Sequence, residues 1–327
     1  MRSHNLPIWI AGLDYNPVYV SKALRQEFGI SVDELRRGFR WQSRSPLGDY
    51  TPHPVDGPTL TTFRRFRAAD GEEHEYVSYI RRLVVMDESV GYAVAMHRVD
   101  QDTRGCVAPR PTFRIPESQK RIAIRYAGVA LDHVNSYIRA LGPLLDINSA
   151  DQLVHLDELH RMLGELGLLD LPIDLSQPSE DFWFRAEAHD DLVFSKLSEF
   201  QMIGQIRPIF FSKMASISPF PIRISDAEME QWLQKQGMEV PLINNMSCGY
   251  LERIQEARID VVLEHDPEEW ARLLFHGIPC YLMARPWNRW IRTPLIVHST
   301  DQFLANIGVE PNQTYCPYDP GLMSMSA

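Results

Sequence analysis

The sequence lacks any apolar run long enough to cross a membrane, and its first residues contain no long apolar core of a signal peptide. Cysteine is also scarce. The four cysteines, Cys106, Cys248, Cys280 and Cys316, lie far apart and form no Cys-x-x-Cys pair. Such usage is typical of reduced thiols in a cytosol and argues against a disulfide framework or a zinc site. We therefore expect a cytoplasmic protein without a membrane partner.

Several catalytic sequence patterns are missing as well. There is no Walker phosphate loop, no nucleophile elbow and no dinucleotide-binding glycine pattern. His155 and His160 are five residues apart, which does not place both on one helix face, so we interpret them as surface residues. The segment His189-Asp190-Asp191 is interpreted as the acidic start of a helix. His97, inside a β-rich run, is interpreted as a structural residue.

Lysine is nearly absent from the first third of the chain. Residues 1–118 contain 16 basic and 15 acidic side chains, and Lys22 is the one lysine among them. Residues 119–327 contain 17 basic and 28 acidic side chains. Two clusters, 36–41 and 63–67, combine arginine with aromatic rings, a pattern that can bind phosphate or stack on bases. We favour solvated arginines on a helix and an edge strand. The net charge of −10 argues against general duplex binding. If nucleic acid binds at all, these clusters are the region that we expect to contact it.

Residues 1–118 are predicted to form a separate α+β domain of a type that we do not recognise. Hydrophobic patterning and capping residues predict a strand at 7–13, helices at 17–28 and 31–38, and a hairpin of strands 76–86 and 91–99. Pro109, Pro111 and Pro116 then mark a linker. The chain, with 327 residues and 44% hydrophobic content, is long enough for a second domain after this linker.

The second part of the chain opens with a strand, a turn and a helix. The apolar strand Ile122–Ile124 runs into a small-residue turn at Ala127-Gly128, and a helix-like segment at 132–141 follows. This order is the start of a doubly wound α/β sheet, in which sites form at the carboxyl ends of the strands. Four further segments continue the pattern: a strand at 208–212, a helix at 226–237, an acidic segment at 259–268, and a strand with its loop at 277–289.

These segments, in this order, resemble the motifs of the haloacid dehalogenase-like (HAD) phosphohydrolases, particularly their deoxyribonucleotidase-like branch. The opening motif of that family is Asp-x-Asp-Gly-Val-Leu-Ala-Asp, and Gly128, Val129 and Asp132 match it here. The resemblance covers about residues 119–309. It implies a doubly wound, Rossmann-like parallel sheet in a domain spanning 119–310, a small helical cap at about 146–180, and a C-terminal tail at 311–327.

The residues that carry the family's chemistry are replaced. The resemblance places Arg125 at the nucleophilic aspartate, Ala127 at the acid/base aspartate, Tyr250 at the phosphate-binding lysine and His265 at a metal-binding aspartate. We call these four positions the relic site. HAD chemistry needs a carboxylate that attacks phosphorus and a cation held by oxygen ligands, and arginine supplies neither. We therefore expect no catalytic residue here, and no use of the Mg²⁺ on which active relatives depend.

Some residues near the relic site are still of ligand-binding type. The candidate phosphate or ligand contacts are Arg125, Ser212, Lys213 and Asn288. Among them, Ser212 matches the phosphate-binding Ser or Thr of the family. Glu264 and Asp266 are weak metal candidates, and an internal ion pair of either carboxylate with Arg125 is the competing expectation.

The sequence favours a catalytically inactive HAD-like protein that works as a protein-interaction or regulatory subunit, with a protein as its partner. The nucleotidase-like branch is common in phage genomes, so a phage-encoded assembly is one expected setting. One alternative is a sensor that binds a nucleotide or phosphate at the relic site. Two others are a nucleotidase-like phosphohydrolase with a non-standard site and an enzyme whose activity lies in residues 1–118.

Overall fold

Two β-sheets of different kinds organise the computed structural model. The structure describes residues 7–14, 16–39, 60–85, 88–98, 119–141, 147, 149–153, 158, 161–162, 165, 186–189, 193–213, 226–246 and 250–309. The sheet of the N-terminal unit is antiparallel, and that of the C-terminal unit is parallel throughout. The predicted α/β class with a parallel sheet is therefore confirmed.

The antiparallel sheet has five strands. They are β1 (Ile8–Ala11), β2 (Pro17–Val20), β3 (Leu60–Arg67), β4 (Glu73–Val85) and β5 (Glu88–Arg98). Their order in the sheet is β2-β1-β5-β4-β3. The predicted hairpin is confirmed, because β4 and β5 are paired neighbours. The predicted edge strand is confirmed as well, since the arginine cluster at 63–67 lies in β3 at the edge of the sheet.

Two short helices cover one face of this sheet. They are α1 (Lys22–Phe28) and α2 (Val32–Arg36). Trp9, Phe28 and Tyr76 belong to the hydrophobic cluster beneath them. Helix α2 starts with the predicted serine cap, in which Ser31 and Glu34 bind each other's backbone N–H.

The helix predicted at 17–28 begins later than the proline suggested. Pro17–Val20 is strand β2, and the helix starts only at Lys22, after Ser21 accepts a hydrogen bond from the N–H of Leu24. The β-branched and aromatic residues of β2 pair with β1, with Val20 opposite Trp9. Sheet pairing therefore overrides the helix-starting preference of a proline, which also suits the first residue of an edge strand.

The parallel sheet has six strands. They are β6 (Lys120–Arg125), β7 (Ile206–Lys213), β8 (Leu242–Met246), β9 (Val261–Glu264), β10 (Cys280–Met283) and β11 (Ile296–Val297). Their order is β11-β10-β9-β6-β7-β8. The chain runs outward from β6 in one direction and then outward from β9 in the other. The topological switch point, where such sheets form their sites, therefore lies between β6 and β9.

Helices flank the parallel strands in the chain. They are α3 (His133–Leu141), α4 (Phe194–Met202), α5 (Asp226–Lys235), α6 (Tyr250–Glu256), α7 (Pro267–Phe275) and α8 (Thr300–Asn306). The helices predicted at 132–141 and 226–237 correspond to α3 and α5. Trp232 of α5 is buried and donates to the carbonyl of Ala186.

Helix α7 joins the two sheets. Trp270 is fully buried and contacts the ring of Tyr19 edge to face, with 6.1 Å between ring centroids. The Glu268 carboxylate accepts a hydrogen bond from the backbone N–H of Lys22. Ile8 and Ile10 of β1 belong to the same hydrophobic cluster as the strands of the parallel sheet. The two units therefore have separate sheets but share one core.

Several predicted segments lie outside the described residues. These are the proline-marked linker, most of the predicted cap at 146–180, the tail at 311–327, Arg40-Trp41, and the cysteines other than Cys280. Within the predicted cap, a single 3-10 turn at Ala150–Gln152 is described. Among the residues that the structure describes, no helix combines the length and apolar character needed to cross a membrane.

We predict that Trp270→Ala destabilises both units together. Removing this side chain leaves a cavity where α7 meets β1, which typically costs about 3–5 kcal/mol. Urea unfolding, followed by far-UV circular dichroism, measures the loss. Met202→Ala, at an exposed position, is the control and should change stability by less than about 0.5 kcal/mol. A loss as small as that of the control would show that α7 does not join the two sheets.

Candidate functional site

The carboxyl ends of β6, β7 and β9 bring the relic site together. In the sheet register Arg125 lies beside Phe211 of β7, and Ile124 lies beside Leu263 of β9. Arg125 on β6 and Glu264 on β9 are therefore neighbours at the switch point. Ser212 and Lys213 end strand β7 at the same edge. The sequence motifs at these strand ends thus converge, as the parallel order predicted.

Arg125 faces a buried carboxylate. Its Nη1 lies 4.0 Å from Oε2 of Glu264, a residue that is 0% exposed. Burial alone would lower the pKa of Arg125, but the Glu264 carboxylate raises it, so the guanidinium stays charged. Its carbon lies 5.1 Å from the ring centroid of Tyr250, at cation–π distance. Of the two carboxylates proposed as partners, Glu264 is the one that pairs.

Glu264 also holds its own loop. Oε1 accepts hydrogen bonds from the backbone N–H groups of His265 and Asp266, at 2.8 and 3.1 Å. Its two oxygens therefore have different tasks, one toward the loop and one toward Arg125. Burial, with Glu264 nearby, raises the pKa of the Tyr250 hydroxyl well above its ordinary value. Tyr250 is thus a neutral phenol packed on the guanidinium.

The turn after β6 is packed under His265. Gly128 has φ 89°, a conformation that suits glycine. A Cβ at this position would lie 2.3 Å from atoms of the His265 ring, so the ring rests directly on the glycine backbone. Burial lowers the pKa of His265 well below its ordinary value, and His133 adds to the effect. Ala127, in the same turn, offers only a methyl group.

Arg285, which the sequence did not single out, fixes this turn to the loop after β10. Its Nε donates to the carbonyl of Gly128 at 2.7 Å, and its Nη2 donates to that of Val129 at 2.9 Å. Its Nη1 donates to the carbonyl of Ala284 at 3.0 Å. The side chain is buried, so these charge-assisted bonds are shielded from water. One sequence feature could have indicated it: Arg285 follows a buried parallel strand by two residues.

The structure corrects the role expected of Asn288. Its amide nitrogen donates to the carbonyls of His265 and Met283, and its oxygen accepts from the N–H of Arg285. The side chain is completely buried. Asn288 therefore connects the backbone of the loop after β9 to that of β10 and the loop after it, and it is not a ligand contact. Trp287 is buried and donates to the carbonyl of His265.

The acidic residues at this edge have protein partners. Asp266 caps helix α7, and its Oδ1 accepts from the N–H of Glu268. Glu264 is engaged by Arg125 and its own loop, and a fixed guanidinium repels a cation. Hard cations need several free oxygen ligands. In the described part of the chain, no group of three or more His, Cys, Asp or Glu side chains is placed to hold a metal ion.

A cavity of about 250 Å³ lies beside the relic site, bounded by the starts of α3 and the 3-10 turn and by the loop after β10. Its lining residues are Asp132, Asn135, Ala150, His189, Ala284, Arg285, Pro286 and Trp287. His189 was predicted to start a helix, but helix α4 begins only at Phe194 and has no acid in its first turn. Instead, the backbone N–H of His189 donates to the carbonyl of Ala130, and burial lowers the pKa of the His189 side chain strongly. Tertiary packing of an extended segment, which no local pattern reveals, brings it here.

Comparison with known proteins finds partial matches among solved structures alone. No family model matches this chain, and neither does any curated protein. Solved structures that match part of it include a PAS domain of an HTR-like protein from Haloarcula marismortui, with 13% identity, TM-score 0.25, and coverage of 30% of this chain and 84% of that one. A PAS domain from a two-component sensor histidine kinase has 16% identity, TM-score 0.25, and coverage of 29% and 86%. The Aureochrome1 LOV photoreceptor has 14% identity, TM-score 0.23, and coverage of 29% and 83%. At these scores the matches support no assignment.

We predict that Arg125→Met destabilises the protein by about 3–5 kcal/mol, because it leaves the buried Glu264 carboxylate without its counter-charge. Adding Glu264→Gln should recover most of that loss, since the charge is then gone. Urea unfolding of the wild type, both single variants and the double variant gives the coupling energy. The exposed pair Arg139–Glu187 is the control cycle and should couple by less than about 1 kcal/mol. Equal coupling in the two cycles would contradict a buried ion pair.

We also predict that Asp266→Asn changes the pH dependence of stability. Burial, with Glu264 and Glu269 nearby, raises the pKa of Asp266 from 3.8 to about 8. The folded state keeps a proton that the unfolded state releases, so wild-type stability falls as pH rises between these values, by up to about 1.4 kcal/mol per pH unit. Asparagine still caps α7 and carries no such proton. Relative to the wild type, the variant should therefore gain stability steadily from about pH 5 to about pH 8.

Urea unfolding at several pH values measures this difference. Asp301→Asn, which also removes a carboxylate but at an exposed position, is the control. A stability difference between the Asp266 variant and the wild type that stays constant with pH would show that Asp266 ionises normally.

Proposed function

We propose that this protein is a catalytically inactive HAD-like protein that acts through protein contacts, as an adaptor or regulatory subunit. The observation that carries the proposal is the pairing of Arg125 with Glu264 at the switch point of the parallel sheet. The place expected for a nucleophile and its cation holds instead a buried pair of opposite charges.

The position of the motifs supports the HAD-like part of the proposal. Segments that resemble five family motifs lie at or just after the carboxyl ends of β6, β7, β9 and β10, or start the helix α6 that follows β8. All these strands are parallel and share one edge. A sequence resemblance that arose by chance would have no reason to place its motifs around one edge.

The chemistry of the described side chains supports the inactive part. Arg125 has no nucleophilic lone pair at any ordinary pH. Burial raises the pKa of Tyr250 and of Cys280, so neither forms the anion that attacks phosphorus. His265 is packed against Gly128 and stays neutral. Loss of groups that act as one unit typically costs on the order of a million-fold in turnover.

Charge distribution supports protein contacts. Residues 119–327 contain 17 basic and 28 acidic side chains, whereas 1–118 are almost balanced. An acidic surface attracts a basic partner and repels nucleic acid phosphates. The expected partner is therefore a protein with a basic surface, and its binding should weaken with salt.

A second candidate function, a phosphate or nucleotide sensor, has one observation in its favour. Nε and Nη1 of Arg125 make no hydrogen bond to any described group. The guanidinium is, however, only 6% exposed and already faces a carboxylate. A phosphate would have to displace Glu264 from a buried pair, so we favour the first proposal.

We predict that the purified protein does not hydrolyse p-nitrophenyl phosphate or deoxynucleoside monophosphates when Mg²⁺ is present, because no described group at the relic site can attack phosphorus. Product release measured against a buffer blank checks this. Turnover that needs Mg²⁺ and disappears in Asp266→Asn, but not in the exposed Glu252→Gln control, would instead assign a phosphohydrolase with a non-standard site.

Calorimetry with phosphate and a deoxynucleoside monophosphate separates adaptor from sensor. The adaptor proposal expects no binding at millimolar ligand. Binding that Arg125→Met weakens about ten-fold or more would establish the sensor, since a charge-assisted bond contributes roughly 1.5–3 kcal/mol. The adaptor proposal is also tested by cross-linking in the native cells. A partner captured in this way must bind the purified protein, and this binding must depend on salt.

A further inference from the structure

The cavity beside the relic site is lined by oriented polar side chains, and the proposed function does not use it. It lies between α3, the 3-10 turn and the loop after β10, whereas Arg125, Glu264 and Tyr250 lie toward β7 and β9. Its volume of about 250 Å³ suits a small molecule. Rigid parts of the chain form its wall, because Arg285 fixes one loop to the turn after β6.

One side of the cavity presents preset hydrogen-bonding groups. The Asp132 carboxylate is oriented by Asn135, whose backbone N–H and side-chain amide donate to its two oxygens at 3.1 and 2.7 Å. The oxygen of that amide in turn accepts from the N–H of Ala150 at 2.7 Å. These contacts hold Asp132 and Asn135 in one arrangement without a ligand, so binding costs little ordering.

His189 completes the polar side. Its Nε2 lies 3.9 Å from Oδ1 of Asp132, too far for a direct hydrogen bond, and is buried with no hydrogen-bond partner among the described residues. A hydroxyl group placed between the two can donate to the carboxylate and accept from the imidazole at once, because it is both donor and acceptor. A phosphate oxygen would meet the carboxylate charge without a proton to donate.

The remaining wall and the charge balance indicate an uncharged ligand. Pro286, Trp287 and Ala284 add apolar groups to the lining. The single negative charge, on Asp132, is matched by Arg285, whose guanidinium donates to three backbone carbonyls. The cavity therefore has no surplus charge of either sign to attract an ion.

We propose that this cavity binds a small uncharged ligand with neighbouring hydroxyl groups, such as a free sugar or the ribose of a nucleoside. Asp132 and His189 hold one hydroxyl between them, Asn135 orients the carboxylate, and the Pro286–Trp287 wall covers the carbon face of the ring. The site does not depend on the relic site being inactive, because it uses none of the residues that replace the family's catalytic groups.

Saturation-transfer NMR and calorimetry with D-ribose, uridine and 2′,3′-dideoxyuridine test the proposal. We expect uridine to bind and the dideoxy compound to bind at least about ten-fold more weakly, since it lacks both hydroxyls that the polar side would hold. If D-ribose binds, a free sugar is sufficient as the ligand. If uridine binds and D-ribose does not, the ligand is a nucleoside. Both results support the hydroxyl site.

Two variants locate the site. Asp132→Asn keeps the helix cap but removes the charge, and it should weaken binding about ten-fold. Ala284→Leu fills the cavity from the half-buried wall and should abolish binding. Glu230→Gln, an exposed residue of α5, is the control that loses a carboxylate elsewhere and should bind as the wild type does. Melting curves show whether each variant is folded. If Ala284→Leu is unfolded, the binding measured for Asp132→Asn tests the site.

Three results would overturn the proposal. The first is that the wild type binds none of these compounds at millimolar concentration. The second is that binding survives unchanged in the folded Asp132 and Ala284 variants, because the ligand then lies elsewhere. The third is that inorganic phosphate competes with uridine for the same site as tightly as ribose does, which an uncharged hydroxyl site does not allow.

Discussion

The buried guanidinium of Arg285 is the contact on which the arrangement at the sheet edge depends. By donating to the carbonyls of Gly128 and Val129, it holds the turn after β6 against the loop after β10. The turn so held lies directly beneath the His265 ring, and the same side chain forms part of the cavity wall. Buried backbone carbonyls of a turn need a hydrogen-bond donor, and the Arg285 guanidinium supplies it.

Arg125 and Glu264 set the electrostatics at the switch point of the parallel sheet. A site with several carboxylates at one strand edge is unstable without a cation, because like charges repel in a low-dielectric interior. Here the cation is covalently part of strand β6 and faces Glu264. The charge of Glu264 is therefore balanced by a side chain of the protein itself.

Much of this fold could be predicted from the sequence, because strong local signals agreed with tertiary context. Buried runs such as Ile122–Ile124 and the capping residue Ser31 gave the right elements. Pro17 was misleading because pairing with β1 outweighed its local preference. Arg285 and His189 were missed, since their roles arise from contacts with turns more than fifty residues away in the chain. The role of Asn288 was misjudged for a related reason: its partners are backbone carbonyls, which a sequence pattern does not display.

The position of α7 between two sheets has a consequence for how this chain can be divided. A natural cut at the linker would separate the antiparallel sheet from the helix that covers it. One fragment would then expose Ile8 and Ile10 of β1, and the other would expose the Tyr19-facing side of Trp270. Newly exposed apolar surface of this kind promotes association. Exchange of either unit between proteins would have to preserve these shared contacts.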